Sequence, residues 1–255
     1  MPIYVQAGLW GLLSGAALVI GAAFAWFARL PTRAIAAITA FGTGVLISAL
    51  SFDLMDEAQQ RGGFIPTAAG FLGGAVVYTL ANVALAHHGA RHRKRSGNQQ
   101  AEEGGSGMAM AVGALLDGIP ESVVIGVSLL PGGGVSLVAV AAVFLSNLPE
   151  GLASAAGMRE AGRSAAYVFG VWIGIALLSG LAALLGNLFM AGAIAFVTAV
   201  AAGAILALLA DTMIPEAFET AHNYAGLITV LGFVAAFVLT KMAAESPHPS
   251  TRRRR

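Results

Sequence analysis

A chain of 255 residues that is 57% hydrophobic and only 11% charged has more apolar surface than one soluble core can hide, so its solvent is a bilayer. A formal charge of +1, with basic residues dense only in one loop and one tail, excludes a nucleic-acid groove. The absence of cysteine excludes disulfides, thiolate metal sites and a cysteine nucleophile. Its 33 glycines and many alanines favour helices packed closely through small side chains, and its long apolar runs are unlike the short alternating segments of a β-barrel.

The first apolar run, Val5 to Ala28, has no basic stretch before it and reads as a retained span, not a cleaved signal. Breaks at charged, Pro and Gly clusters give eight candidate spans, at about 5–28, 34–58, 64–88, 107–130, 135–158, 164–188, 191–218 and 223–243. Helices one to three therefore occupy 1–88 and a polar, flexible cytoplasmic loop 89–106. Helices four and five occupy 107–160, helices six to eight 161–245, and a polar tail 246–255. Arg29, Arg33, Arg91, Arg93, Lys94, Arg95, Arg159 and Arg163 fall on one side of this plan, against Arg61 and Lys241 on the other. The positive-inside rule then puts both termini outside, with the distal Arg252–Arg255 departing from the bias.

LLDGIPESVVIG at 115–126 echoes FLSNLPEGLASA at 144–155, so that Pro120 and Glu121 match Pro149 and Glu150. DTMIPEAFE at 211–219 echoes FDLMDEA at 52–58. Echoes that set acids in or beside membrane spans are what a transporter built from structural repeats contains, with its site at the repeat interface.

Of the 13 acidic residues, Asp53, Asp56, Glu57, Asp117, Glu121, Glu150, Asp211, Glu216 and Glu219 lie within or at the ends of apolar spans. A charge at mid-bilayer costs ~2.5–3.5 kcal/mol even on the lenient insertion scale, and a bound cation could supply the missing positive charge. Asp117 and Glu121 share a helix face at i,i+4; Ser146 and Asn147 share one with Glu150 at i,i+4 and i,i+3. Pro120 and Pro149 leave the carbonyls of Leu116 and Leu145 without their helical donors, and such carbonyls can line an ion path. Kinks and protonated acids would explain either motif alone; the repetition points to function. His87, His88 and His92 could gather metal at the inner face, although a loop so rich in Arg is more often just solvated; Met55 and Met213, near acids, read as packing. Glu219 and His222, at the inner end of the seventh span, stand where ions could leave.

On these residues the chain resembles the ZIP (Zrt/Irt-like protein) family of divalent metal transporters, as a divergent bacterial-type member, over nearly its whole length. The family's fourth-helix motif H-N-x-P-E-G is similar to Asp117-Gly118-Ile119-Pro120-Glu121-Ser122, and its fifth-helix motif to Ser146-Asn147-Leu148-Pro149-Glu150-Gly151. ADTMIPEA at 210–217 resembles the seventh helix of bacterial members. The resemblance implies an all-α membrane protein of eight transmembrane helices in a 3+2+3 inverted-repeat bundle. It also implies a central metal site of Asp117, Glu121, Asn147 and Glu150 with Ser146, and an elevator-type motion of one helix group against another. Asp117 and Ser146 replace family histidines, Gly118 replaces the fourth-helix Asn, and Ala183 and Leu184 stand where a Glu-Pro pair would fall, so one central ion is expected instead of two.

The expected function is inward transport of zinc, iron(II) or manganese, with no catalytic residues and no cofactor beyond the carried ion. An all-oxygen shell favours the harder ions. Asp53, Asp56, Glu57, Asp211, Glu216, Glu219 and His222 are the candidate pathway residues. Expected partners are membrane lipid and the metal ion but no nucleic acid, a homodimer is one assembly open to it, and the expected location is a bacterial inner (plasma) membrane. Two readings compete: an intramembrane metal-dependent enzyme acting on lipid phosphate, for which the fourth, fifth and seventh spans carry no Arg or Lys clamp, and a family member that binds metal without transporting it.

Overall fold

Helices lying side by side in hydrocarbon gain little from burying apolar surface against one another, so their closest contacts decide the architecture. The computed structural model describes residues 1–28, 30–85, 87, 107–129 and 137–245, and these are 94% helical with no strand. The elements are α1 (Ile3–Ala28), α2 (Thr32–Ala49), α3 (Met55–Gly62), α4 (Phe64–Leu85), α5 (Gly107–Ser128), α6 (Leu137–Glu160), α7 (Ala165–Phe189), α8 (Ile194–Leu208), α9 (Ile214–Ala221) and α10 (Ala225–Glu245).

The second and seventh expected spans are each broken by a π-turn, at Leu50–Leu54 between α2 and α3 and at Leu209–Met213 between α8 and α9. With each broken rod counted whole, seven helices among the described residues are long and apolar enough to cross a membrane. To these α5 adds a shorter apolar stretch, Gly118–Ser128. The expected loop 89–106, with His92, and the tail 246–255 lie outside the described residues, as does His88; His87 is exposed.

Helix α1 packs on α6 and α7, α5 on α7, α2 on α10 and α6, and α8 on α4 and α5. Three of these contacts are reciprocal and made by glycine on carbonyl. A methyl group added at Gly21 would overlap Leu148 O, and one at Gly151 would overlap Leu18 O, across α1 and α6. The same holds for Gly44 on Thr229 O and Gly232 on Phe41 O across α2 and α10, and for Gly74 on Val200 O and Gly203 on Phe71 O across α4 and α8. Between α5 and α7, Gly126 meets Ala183 O in the same way and Gly186 touches Val123. Backbones this close exchange dispersion and Cα–H···O contacts that a larger residue would forbid.

Trp172, Leu18, Leu152 and Met158 fill the space among α1, α6 and α7. The C-terminal carbonyls of α1 are taken up by Arg159, whose Nη1 donates to Ala25 O at 3.2 Å and Trp26 O at 2.7 Å. A cation there also complements the helix dipole. Large apolar side chains such as Leu72, Val76 and Leu80 on α4 and Leu227, Val230 and Leu231 on α10 are exposed, the arrangement of surfaces solvated by lipid.

Gly73 and Gly74 separate packing from helix propensity. Gly74→Ala pushes a methyl group into the Val200 carbonyl and is expected to cost ~1–3 kcal/mol, read as a lower thermal midpoint in detergent. Gly73→Ala meets nothing within 4 Å and should be neutral or slightly stabilising. Equal effects of the two would overturn the α4–α8 contact.

Candidate functional site

A π-turn inserts one residue into an α-helix and turns the following side chains to a new direction, and such turns gather at functional positions. Here the signature bonds run from Met55 N–H to Leu50 O and from Ile214 N–H to Leu209 O. Each turn carries one aspartate, Asp53 or Asp211, and each leads into an eight-residue helix. The two rods cross: Leu46, Leu50 and Leu54 of the first pack with Ala201, Ala202, Ile205, Leu209 and Met213 of the second, and Val124 of α5 joins them. Met213 is buried in this cluster and Met55 packs against it, so both methionines serve packing.

Each aspartate is met by a polar side chain from the helix at its back. Thr240 Oγ1 of α10 donates to Asp53 Oδ2, and Asn82 Nδ2 of α4 donates to Asp211 Oδ2, both at 3.4 Å. That length makes weak bonds. Beside Asp53, the Lys241 ammonium lies over the rings of Phe52 and Phe237, 5.7 and 5.4 Å from their centroids, so a positive charge stands next to this turn. Asn82, Thr240 and Lys241 were not among the expected site residues. Their polarity within or at the edge of apolar spans is visible, but their partners depend on α4 packing on α8 and α10 on α2.

Glu121 follows Pro120 on α5 and is 2% exposed. It and Asp53 line one cavity of about 20 Å³, whose other described walls are Leu46, Ala49, Leu50, Leu54, Val124, Ala139, Ala142, Val143 and Ile205. That volume has room for one water, but its apolar surface offers such a molecule no partner. The surface of this space is apolar, so Asp53 and Glu121 border it through their carbon atoms.

The other expected ligands are distributed differently. Ser146 and Asn147 are buried on α6. The Ser146 hydroxyl donates to Val143 O at 2.9 Å, and Asn147 Nδ2 donates to Ser14 O of α1 at 3.0 Å, so this amide ties α6 to α1. Glu150 is half-buried on the next turn of α6 and is not among the described residues lining the Asp53–Glu121 cavity. The Leu145 carbonyl, which Pro149 cannot engage, faces Gly42 of α2; a methyl there would lie 3.2 Å from Leu145 O and 3.1 Å from Pro149 Cγ. The Asp117 side chain lies outside the described residues. Among the described residues no three His, Asp or Glu side chains form a group that could hold a metal ion.

Along the expected pathway, Glu57 is ion-paired with Arg61 at 3.0 Å one turn on, while Asp56 is exposed. Glu216 is buried on α9, and Glu219 and His222 are exposed at its end, where His222 lies edge-on to Phe218 at 6.4 Å. No protein-family model matches this chain, and no curated protein matches it.

Asn147→Asp tests whether this amide is structural. It replaces a buried donor to Ser14 O with an acceptor and is expected to cost ~1–3 kcal/mol, seen as a lower thermal midpoint of the purified protein without added metal. An unchanged midpoint would free Asn147 from the α1 tie.

Proposed function

We propose that the protein transports a divalent transition-metal cation, zinc, iron(II) or manganese, inward across a membrane, as a divergent member of the ZIP type. One observation carries this reading: two acids of different spans, Asp53 and the buried Glu121, border one cavity of about 20 Å³ between the crossing rods and α5. A cation passing between these segments would meet a carboxylate from each. Hydroxyl, carbonyl and water oxygens would complete its shell, the ligand chemistry of the harder ions. Glu150, Ser146 and Asp117 would continue the path along α5 and α6. Asp211, Glu216, Glu219 and His222 would extend it toward the other face.

The proposed frame is eight spans in a 3+2+3 inverted repeat, with both termini outside a bacterial inner membrane. Exchanging the first rod with the sixth, the second with the seventh, the third with the eighth and the fourth with the fifth leaves the pattern of helix contacts unchanged, which supports it. The same exchange carries the π-turn of one rod onto that of the other, and the Asp53–Thr240 bond onto the Asp211–Asn82 bond. An inverted repeat of this kind lets one arrangement of helices open to either side.

Uptake of manganese, iron(II) and zinc into proteoliposomes tests the reading. Wild type should accumulate at least one of them, and Glu121→Gln should lower that uptake by tenfold or more, about 1.4 kcal/mol in the rate-limiting barrier, while keeping its thermal midpoint. Undiminished uptake by Glu121→Gln would overturn the assignment of the cavity. A second comparison concerns selectivity: Asp117→His with Ser146→His adds two imidazoles and should raise zinc uptake relative to manganese. If wild type already prefers zinc as strongly as the double variant, these positions do not set selectivity.

A further inference from the structure

Helices α1 and α6 end, and α2 begins, around a cavity of about 370 Å³. Its described walls are Ala25 of α1, Leu30, Ile35 of α2, and Ala156, Arg159 and Glu160 near the end of α6. Beside Ala25, the rings of Trp26 and Phe27 meet that of Phe169 near the start of α7, with centroids 6.3 Å apart in each pair. Arg163, just beyond α6, lies over the Tyr167 ring at 5.3 Å. Aromatic rings gathered at the ends of apolar helices mark the level of lipid headgroups, so the cavity stands at that level and not at mid-bilayer.

Two charges border it. One edge of the Arg159 guanidinium is fixed, since Nη1 donates to Ala25 O and Trp26 O and the central carbon stands 5.6 Å from the centroid of the Trp26 ring. Its Nε and Nη2 have no hydrogen-bond partner among the described residues. A guanidinium presents its N–H donors in a rigid fork, and phosphate oxygens are acceptors that this fork fits. Glu160, the next residue on α6, is exposed and enters no ion pair among the described residues. A carboxylate there repels a purely anionic ligand and accepts hydrogen bonds from an ammonium.

We propose that this cavity holds the phosphoethanolamine headgroup of a membrane lipid, with the phosphate on Arg159 and the ammonium on Glu160. Two carbons separate the phosphate oxygen from the nitrogen in that group, a short span suited to a cation and an anion on consecutive residues of one helical turn. Leu30 and Ile35 offer apolar surface to the carbons beside the charges. The volume falls within the ~300–1,000 Å³ range of ligand sites. Basic pockets between membrane helices hold lipid headgroups, and here the acid selects among them. A choline headgroup brings no N–H for Glu160, and a glycerol headgroup brings no positive charge. The lipid is thereby fastened where Arg159 ties α6 to the end of α1.

The test is lipid retention, which involves no metal and no transport. The full chain is equilibrated in nanodiscs of equal parts phosphatidylethanolamine, phosphatidylcholine and phosphatidylglycerol with the same acyl chains, then released into native mass spectrometry. Wild type should retain phosphatidylethanolamine severalfold over either of the others. Glu160→Gln should bring that retention down to the level of phosphatidylcholine. Ala156→Leu, which fills the cavity and leaves both charges in place, should lower it by a similar factor. Equal retention of the three lipids by wild type overturns the proposal, as does a preference for phosphatidylglycerol. An ethanolamine preference that survives either variant also overturns it. Should one variant fail to fold by thermal melting, the other decides. Binding of free phosphoethanolamine as tightly as the lipid would assign the cavity to a soluble zwitterion and overturn the lipid.

Discussion

The fold depends on backbone meeting backbone. At the α1–α6, α2–α10 and α4–α8 contacts a glycine on each helix sits against a carbonyl of the other, and nothing larger fits. In a bilayer this is the contact that discriminates one helix partner from another, because lipid tails solvate leucine as well as a neighbouring helix does. It also sets register: a shift of one residue along either helix would move a glycine off its carbonyl and bring a side chain into the gap. The partners of Asp53 and Asp211 follow from that register, since Thr240 and Asn82 are eight residues beyond the glycines that lock α10 and α4 in place.

With the outer pairs fixed, the two broken rods cross through the middle of the molecule, and their π-turns bring one acid from each into or beside the bundle. Opening the helical repeat by one residue costs hydrogen-bond geometry. In return it sets Asp53 at the border of the cavity that Glu121 also lines, off the apolar seam formed by Leu46, Leu50 and Leu54, with its carboxylate on Thr240. The surrounding hydroxyls bond to their own helices: Ser51 to Ile47 O, Ser122 to Gly118 O and Thr212 to Leu208 O. Polar side chains that satisfy themselves locally can sit beside the acids without competing for them.

Much of this was legible in the chain. Apolar length and the Pro-Glu echo single out the spans and the acids, because both depend on residues close in sequence, and Glu121 is buried where the motif puts an important acid. The echo at 52–58 and 211–219 marks the two segments at which the rods break. What the motif could not convey is that Asn147, read as a ligand by position, donates to Ser14 O, or that Glu57 pairs with Arg61. In both cases the partner is a backbone atom of another helix or a side chain one turn away, and the motif alone names neither.

By itself the sequence determined that these residues form apolar helices in a bilayer, that acids interrupt them, and that prolines accompany the central pair, because composition and short-range spacing carry those facts. Only the tertiary structure decided that Asp53, not Glu150, shares the small cavity with Glu121, and that Thr240 and Asn82 stand behind the two aspartates. Glycines marked which helix faces could approach closely, but not which helix would arrive, since any small-residue face fits many others until the whole bundle is assembled.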